Sequence, residues 1–314
     1  MVKKIALLLG IAVLAATLPA GADEALDAAL TLIPENGDAA VHYDDAGRAA
    51  LEAAIAALED ALGVTASFDA ANEAAYMALE IPPETKLWVN KLSQAYYTLG
   101  DVFLHGEDGA QTAFTKGQFW GLKSLRMSEA FAIEETRHGF IKAVEQDTDV
   151  AALYWTYGNW ARKDESDVLG AVFRNDPPKL EALIERAFEL DPTYLAYGAY
   201  RSLAAFWGGL PPLPFGAYKQ DLPRTLSYLC PVLIDEAQFC AECATCPADP
   251  NANEYIENRL IFAQYYLMEK SLWQDAARVL RSILADPIGD KYPLYNAFDQ
   301  LLAQELLVTV EKHL

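Results

Sequence analysis

Residues Ala151–Gly216 read AALYWTYGNWARKDESDVLGAVFRNDPPKLEALIERAFELDPTYLAYGAYRSLAAFWGGLPPLPFG. Two aromatic-rich runs, Leu153 to Trp160 and Tyr194 to Trp207, flank an amphipathic segment that stops at Asp191 and Pro192. In that segment Leu180, Ile184 and Ala187, then Pro192, stand at the spacing of the second helix of a tetratricopeptide-type pair. There, small and large apolar side chains alternate so that neighbouring helices approach closely. The stretch therefore predicts an all-α chain of stacked antiparallel helical pairs, an α-α superhelix.

Working outward, the same periodicity recurs on both sides. Ala25 to Leu32 and Arg48 to Leu62 read as helices, the second with Leu51, Ile55, Leu58 and Leu62 on one stripe, and Pro34 to Asp45 as a turn-rich connector. Glu84 to Leu104 is expected to pair with Ala113 to Phe131, whose Gly117, Gly121 and Ser124 would let the two pack closely. Thr148 to Trp160 pairs with Pro177 to Leu190 through a polar connector. Tyr194 to Trp207 ends where Gly208 to Pro214 cannot continue a helix, and its partner runs from Leu222 to Phe239 with Pro231 as a kink or early stop. Asn253 to Met268 and Trp273 to Leu284 form a fourth pair, and Leu294 to Lys312 caps the stack. No strand signal interrupts this pattern, so residues 23–314 read as one helical domain.

Composition narrows the function. The 314 residues carry a net charge of −21, which opposes contact with nucleic-acid phosphates. Lys3 and Lys4, an apolar run from Ile5 to Leu18, and the small residues Ala20, Gly21 and Ala22 read as a secretory signal peptide over residues 1–22, cut before Asp23. Retention of that segment as an anchor is the alternative. The run is shorter than the ~20 residues that span a bilayer. No cysteine lies near the cleavage point, so no lipid attachment is indicated, and the expected location is periplasmic. All the cysteines, Cys230, Cys240, Cys243 and Cys246, lie together. In an oxidising compartment they imply structural disulfides of unassigned pairing; a metal site or a redox pair are the alternatives, although Cys230 lacks the CxxC partner of a four-thiolate zinc site.

With these blocks in view the chain resembles the T-component (TatT) family of tripartite ATP-independent periplasmic (TRAP) transporters. The resemblance rests on LSQAYYTLGDVF at Leu92–Phe103 with KGQFWGLKSL following, ALYWTYGNWA at Ala152–Ala161, the stretch Glu185–Pro211, and LYNAFDQLLAQELL at Leu294–Leu307. It implies a periplasmic accessory protein that associates with the transporter's solute-binding subunit and handles a hydrophobic or organic-acid ligand. It also implies a homo-oligomer, with a trimer as one form. Members commonly carry an acylated cysteine, which this sequence lacks, and the cysteine loop is not part of the family pattern.

No catalytic constellation is present. His42, His105, His138 and His313 are scattered, and neither a phosphate-binding glycine loop nor a zinc-protease or serine-hydrolase signature occurs. The chain is expected to be no enzyme and to need no cofactor and no metal. For binding, Tyr154, Trp155, Tyr197, Tyr200, Phe206 and Trp207 are the candidates for lining an apolar cleft beside the break at Gly208–Pro212; as core residues they would do no more than pack. Arg201 would face a ligand carboxylate or a buried acidic side chain. The competing function is an envelope scaffold of helical repeats with a structural disulfide or metal-binding loop.

Overall fold

The structure, a computed structural model, describes residues 20–64, 76, 79–213, 216–233, 252 and 254–314. These residues form helices and turns, with no strand among them. The helices are α1 (Ala20–Leu32), α2 (Asp45–Ala61), α3 (Lys86–Thr98), α4 (Gly109–Arg126), α5 (Glu129–His138), α6 (Phe140–Gln146) and α7 (Val150–Glu165). After them come α8 (Val168–Phe173), α9 (Pro177–Leu190), α10 (Tyr194–Gly209), α11 (Leu222–Leu229), α12 (Glu257–Phe262), α13 (Trp273–Ala285) and α14 (Pro293–Val310). Two of them open into wider turns at their ends, α3 over Leu99–Phe103 and α12 over Ala263–Met268.

Helix starts follow local chemistry. Asp44, Ser128, Asp149, Asp167 and Asp221 each accept a backbone N–H from the first turn of α2, α5, α7, α8 and α11. Such caps satisfy donors that the helix itself cannot. Proline opens α9, α11 and α14, where its missing N–H costs nothing.

Helices pack in succession: α1 on α2, α3 on α4, α5 on α6, α7 on α9, α10 on α11 and α13 on α14. Three apolar clusters result. One joins α1 to α4 with the start of α14, one joins α4 to α10 around Trp155 and Leu183, and one joins α10 to α14 around Phe262 and Leu280. The pairs are stitched by α4 crossing onto α7. A Cβ at Gly121 would meet Thr156 Oγ1 at 2.3 Å and the Thr156 Cα at 2.9 Å. The small face of α4 is thus turned to α7, whereas the sequence suggested that it faced α3. Toward α3, polar bonds add to the apolar packing: Ser93 Oγ donates to the Gly117 carbonyl at 2.8 Å, and Ser124 Oγ bonds Asn90 Oδ1.

Several boundaries differ from the sequence reading. The expected helix Ala113–Phe131 is two, because Ser128 is extended and caps a new helix. Helices α5 and α6, divided by Gly139 at φ +89°, have no counterpart in that reading. The supposedly polar connector after α7 contains the apolar helix α8. The helix read from Leu222 toward Phe239 closes at Leu229, just before Pro231, at the early stop which that reading allowed. The leading segment before Ala20 and Cys240, Cys243 and Cys246 lie outside the described residues.

Candidate functional site

Helix α10 does not begin as an ordinary helix. Leu195, Ala196 and Tyr197 have φ/ψ of 48/57°, 50/53° and 67/33°, a left-handed turn made without glycine. Each such residue costs about 1–2 kcal/mol, so something must hold it. Three side chains do. Arg201 Nη1 donates to the carbonyls of Leu195 and Ala196 at 2.8 and 2.9 Å. Asn36 Oδ1 accepts the Leu195 N–H at 2.8 Å, and Asn258 Nδ2 donates to the Ala196 carbonyl at 3.3 Å. The turn therefore joins the α1–α2 connector, α10 and α12.

Arg201 itself is 2% exposed. Its Nε donates to Glu257, its Nη2 reaches the Tyr154 hydroxyl at 3.5 Å, and its guanidinium lies 4.1 Å from the centre of the Tyr255 ring. In the structure its partner is an acidic side chain of this chain, Glu257, which is only partly buried. A second arginine repeats the pattern, since Arg162 Nη2 bonds Asp101 at 2.9 Å. Burial pushes the Asp101 carboxyl up, and Arg162 works against that.

Arg162, Arg201 and Glu257 line a small chamber among α3, α7, α10 and α12, walled by Tyr97, Tyr154, Tyr157 and Tyr265. Burial raises the pKa of all four phenols, that of Tyr265 to about 12, so they remain protonated donors at neutral pH. Tyr157 donates to the Ser202 carbonyl at 3.0 Å. Behind the chamber Asp38 and Asp299 are buried, and one oxygen of each has no hydrogen-bond partner. Burial pushes the Asp38 carboxyl up to about 7, although the Tyr295 and Leu294 amides at the start of α14 oppose it; Asp299 moves in the same direction for the same reason.

A second, wider cleft lies against the chamber, and Tyr157, Ala161, Glu165, Ala205 and Tyr265 line both. Its walls are largely apolar. Phe206, Leu210, Pro211 and Leu213 come from the end of α10 and the break after it, Val168 and Val172 from α8, and Leu180 from α9. Glycine and proline at 208–212 end the helix and leave the chain to run along the cleft edge.

The residues singled out from sequence are dispersed among these features. Phe206 lines the apolar cleft, and Tyr154 and Arg201 line the chamber. Trp155 is buried, donates to the Tyr194 hydroxyl at 3.0 Å and borders a separate recess with Lys86 and Asp149. Tyr197 and Tyr200 pack together and against the C-terminal cluster, with Phe188 4.8 Å from the Tyr200 ring. Trp207 lies parallel to the Tyr218 ring, and the Arg224 guanidinium stacks on the indole 3.8 Å from the ring centre. Cys230 is buried in the C-terminal cluster. Sequence reasoning missed Tyr97, Asp101, Tyr157, Arg162, Glu257 and Tyr265. Their one local signal is helical spacing, Tyr157 being i+3 from Tyr154 and Asp101 i+4 from Tyr97.

Among the described residues no group of three or more histidine, cysteine or acidic side chains is arranged to hold a metal ion. None of the described helices is long and apolar enough to cross a membrane. No curated protein matches the chain. Residues 109–220 match the TRAP transporter T-component (TAtT) family. That segment, about a third of the chain, runs from the start of α4 through α10 to the far edge of the cleft, carrying Tyr154, Tyr157, Arg162, α8, Arg201 and Phe206, and over it the chain is similar to the TRAP transporter T-component family.

Proposed function

We propose that this protein is an exported accessory subunit of a TRAP importer, which binds the transporter's solute-binding subunit and accepts an apolar ligand in the cleft beside α10. The observation that carries the reading is the pairing of the two cavities. An open apolar cleft meets, through shared walls, a chamber walled by four tyrosines. Pockets of this kind take ligands that bury hydrocarbon and orient one polar end. Because Arg201 and Arg162 already hold Glu257 and Asp101, a ligand carboxylate would have to displace a buried acid. That favours a mainly hydrophobic ligand with a hydroxyl or protonated acid group over a small dianion.

The same reading takes residues 1–22 as a cleaved export signal, residues 23–314 as one domain, and the cysteines as disulfides suited to an oxidising compartment. It includes assembly into a homo-oligomer. No step of it calls for catalysis. Native mass spectrometry of the exported protein, alone and mixed with the solute-binding subunit, tests it. The expected spectrum carries a retained apolar molecule, lost in Phe206→Asp, and a mixed complex. A ligand-free spectrum unchanged on mixing would overturn the proposal.

A further inference from the structure

Helix α7 turns one stripe toward the apolar cleft: Tyr157, Ala161 and Asp164, at the i, i+4 and i+7 positions that share a helix face. The third is out of keeping with the wall it joins. Asp164 is 5% exposed, and the rest of that wall is mostly apolar. Its Oδ1 accepts from Arg174 at 2.8 Å, whereas its Oδ2 is buried with no hydrogen-bond partner. A buried acceptor in that state is costly, and a donor that reached it would remove the cost.

Arg174 does not cancel the charge of this group. It is shared among Asp164, Asp167 and Asp176 at 2.8, 2.9 and 2.8 Å, and Lys179 adds its cation to Asp176, so three carboxylates face two cations. Lys163, next along the chain, bonds Gln118. Burial, then the Asp176 carboxylate, pushes the Asp164 carboxyl up, and Lys163 and Arg174 oppose this. The cleft wall supplies no counter-charge. Among the described residues that line it, Asp164 and Glu165 are the charged ones, and no lysine, arginine or histidine joins them. Glu165 pairs with Arg162, and the Tyr157 and Tyr218 hydroxyls already donate to the Ser202 carbonyl and to Glu181.

We propose that the free Oδ2 of Asp164 receives the polar end of the cleft's ligand, and that this end is a hydrogen-bond donor without negative charge, an alcohol or an amine on an aliphatic chain. The inference rests on the cleft being a ligand site, as read above, and narrows what it takes. A donor on Oδ2 supplies the missing partner while the hydrocarbon covers Phe206, Leu210 and Leu213. The carboxyl needs at most a turn about χ2, a soft torsion in aspartate. An ionised carboxylate in the same place would meet like charge, with no cation in the wall to receive it.

Calorimetric titration of the full chain with decanol, decylamine, decanoate and decyl methyl ether tests it, at about pH 8, where the amine is cationic and decanoate anionic. Decanol and decylamine are expected to bind about tenfold more tightly than decanoate and than the ether, which keeps the chain but lacks the donor. Phe206→Asp is expected to abolish binding of all four. Asp164→Asn places an amide N–H where the parent offers only acceptors, and is expected to shift the ratio of decanoate to decylamine affinity about tenfold toward decanoate. A misfolded variant would weaken every probe alike and produce no such shift, and the order of the probes on the unaltered chain decides without any substitution. Decanoate or the ether binding as tightly as decanol, or an unchanged ratio in folded Asp164→Asn, overturns the role of Asp164 and leaves the cleft reading standing. Should none of the four bind, or should Phe206→Asp bind them normally, the cleft reading fails and the role of Asp164 with it.

Discussion

Arg201 holds together a backbone turn that would otherwise be unfavourable, and its bonds run to Glu257, Tyr154 and two carbonyls. Removing it takes a donor from the partly buried Glu257 carboxylate and from the Leu195 and Ala196 carbonyls of the left-handed turn, leaving only Asn258 on the second. Arg201→Met is therefore expected to lose about 3–5 kcal/mol of stability in urea unfolding. A residue reserved for a ligand carboxylate would instead unfold like the parent and lose only binding. Asp38 gives a pH signature. Its carboxyl is raised from 3.8 to about 7, so the folded protein prefers the neutral acid. As pH climbs from about 4 to 7 the unfolded chain releases this proton before the folded one does, and stability falls; above 7 both forms are ionised and the loss is complete. Asp38→Asn keeps a neutral amide at the start of α14 and is expected to escape that decline. Its advantage over the parent should grow to on the order of 2–4 kcal/mol between pH 4 and 8, read from paired melting curves; a constant offset would refute it.

At the scale of elements, the α4–α7 crossing sets two known effects against each other. Alanine for glycine within a helix gains about 1 kcal/mol of propensity. At Gly121 the added methyl would meet Thr156 at 2.3 Å, and the Thr156 backbone is among the atoms it strikes. Overpacking of that kind costs about 1–3 kcal/mol, so Gly121→Ala is expected to shift the urea midpoint downward, and an upward shift would show that the helices can separate cheaply. The same region marks how far the sequence was readable. Periodicity and proline placement located α2, α7, α9, α10, α13 and α14, because apolar stripes and proline stops are local signals. Spacing also showed that α4 has a small-residue face, but not which neighbour it meets, since that depends on how α7 crosses. α8 went unread because six residues carry too little period to distinguish a helix from a loop. The break at Gly208–Pro212 was legible as the place where a helix must stop, and Gly209, Leu210 and Pro211 there border the cleft. Arg162 with Asp101, and Arg201 with Glu257, were not, because each pair joins residues more than fifty positions apart.

For the molecule as a whole, the excess of acid over base is spread across a surface where many ion pairs are exposed, and such pairs contribute little. Self-repulsion should dominate. Raising NaCl from about 0.05 to about 0.5 M shortens the screening length several-fold, and melting temperature is expected to increase. A decrease would mean that the network of Arg174 and its relatives outweighs the repulsion. The left-handed turn at Leu195–Tyr197 bears on the architecture in another way. Solenoid units are ordinarily interchangeable, each leaning only on the one before and the one after. Here the α10–α11 hairpin borrows Asn36 from far upstream and Asn258 from downstream to sustain its reversed coil. Lifted out, duplicated or grafted into a consensus array, it would lose both supports and rewind, so this superhelix is not a string of spare parts but a closed loop of mutual dependence.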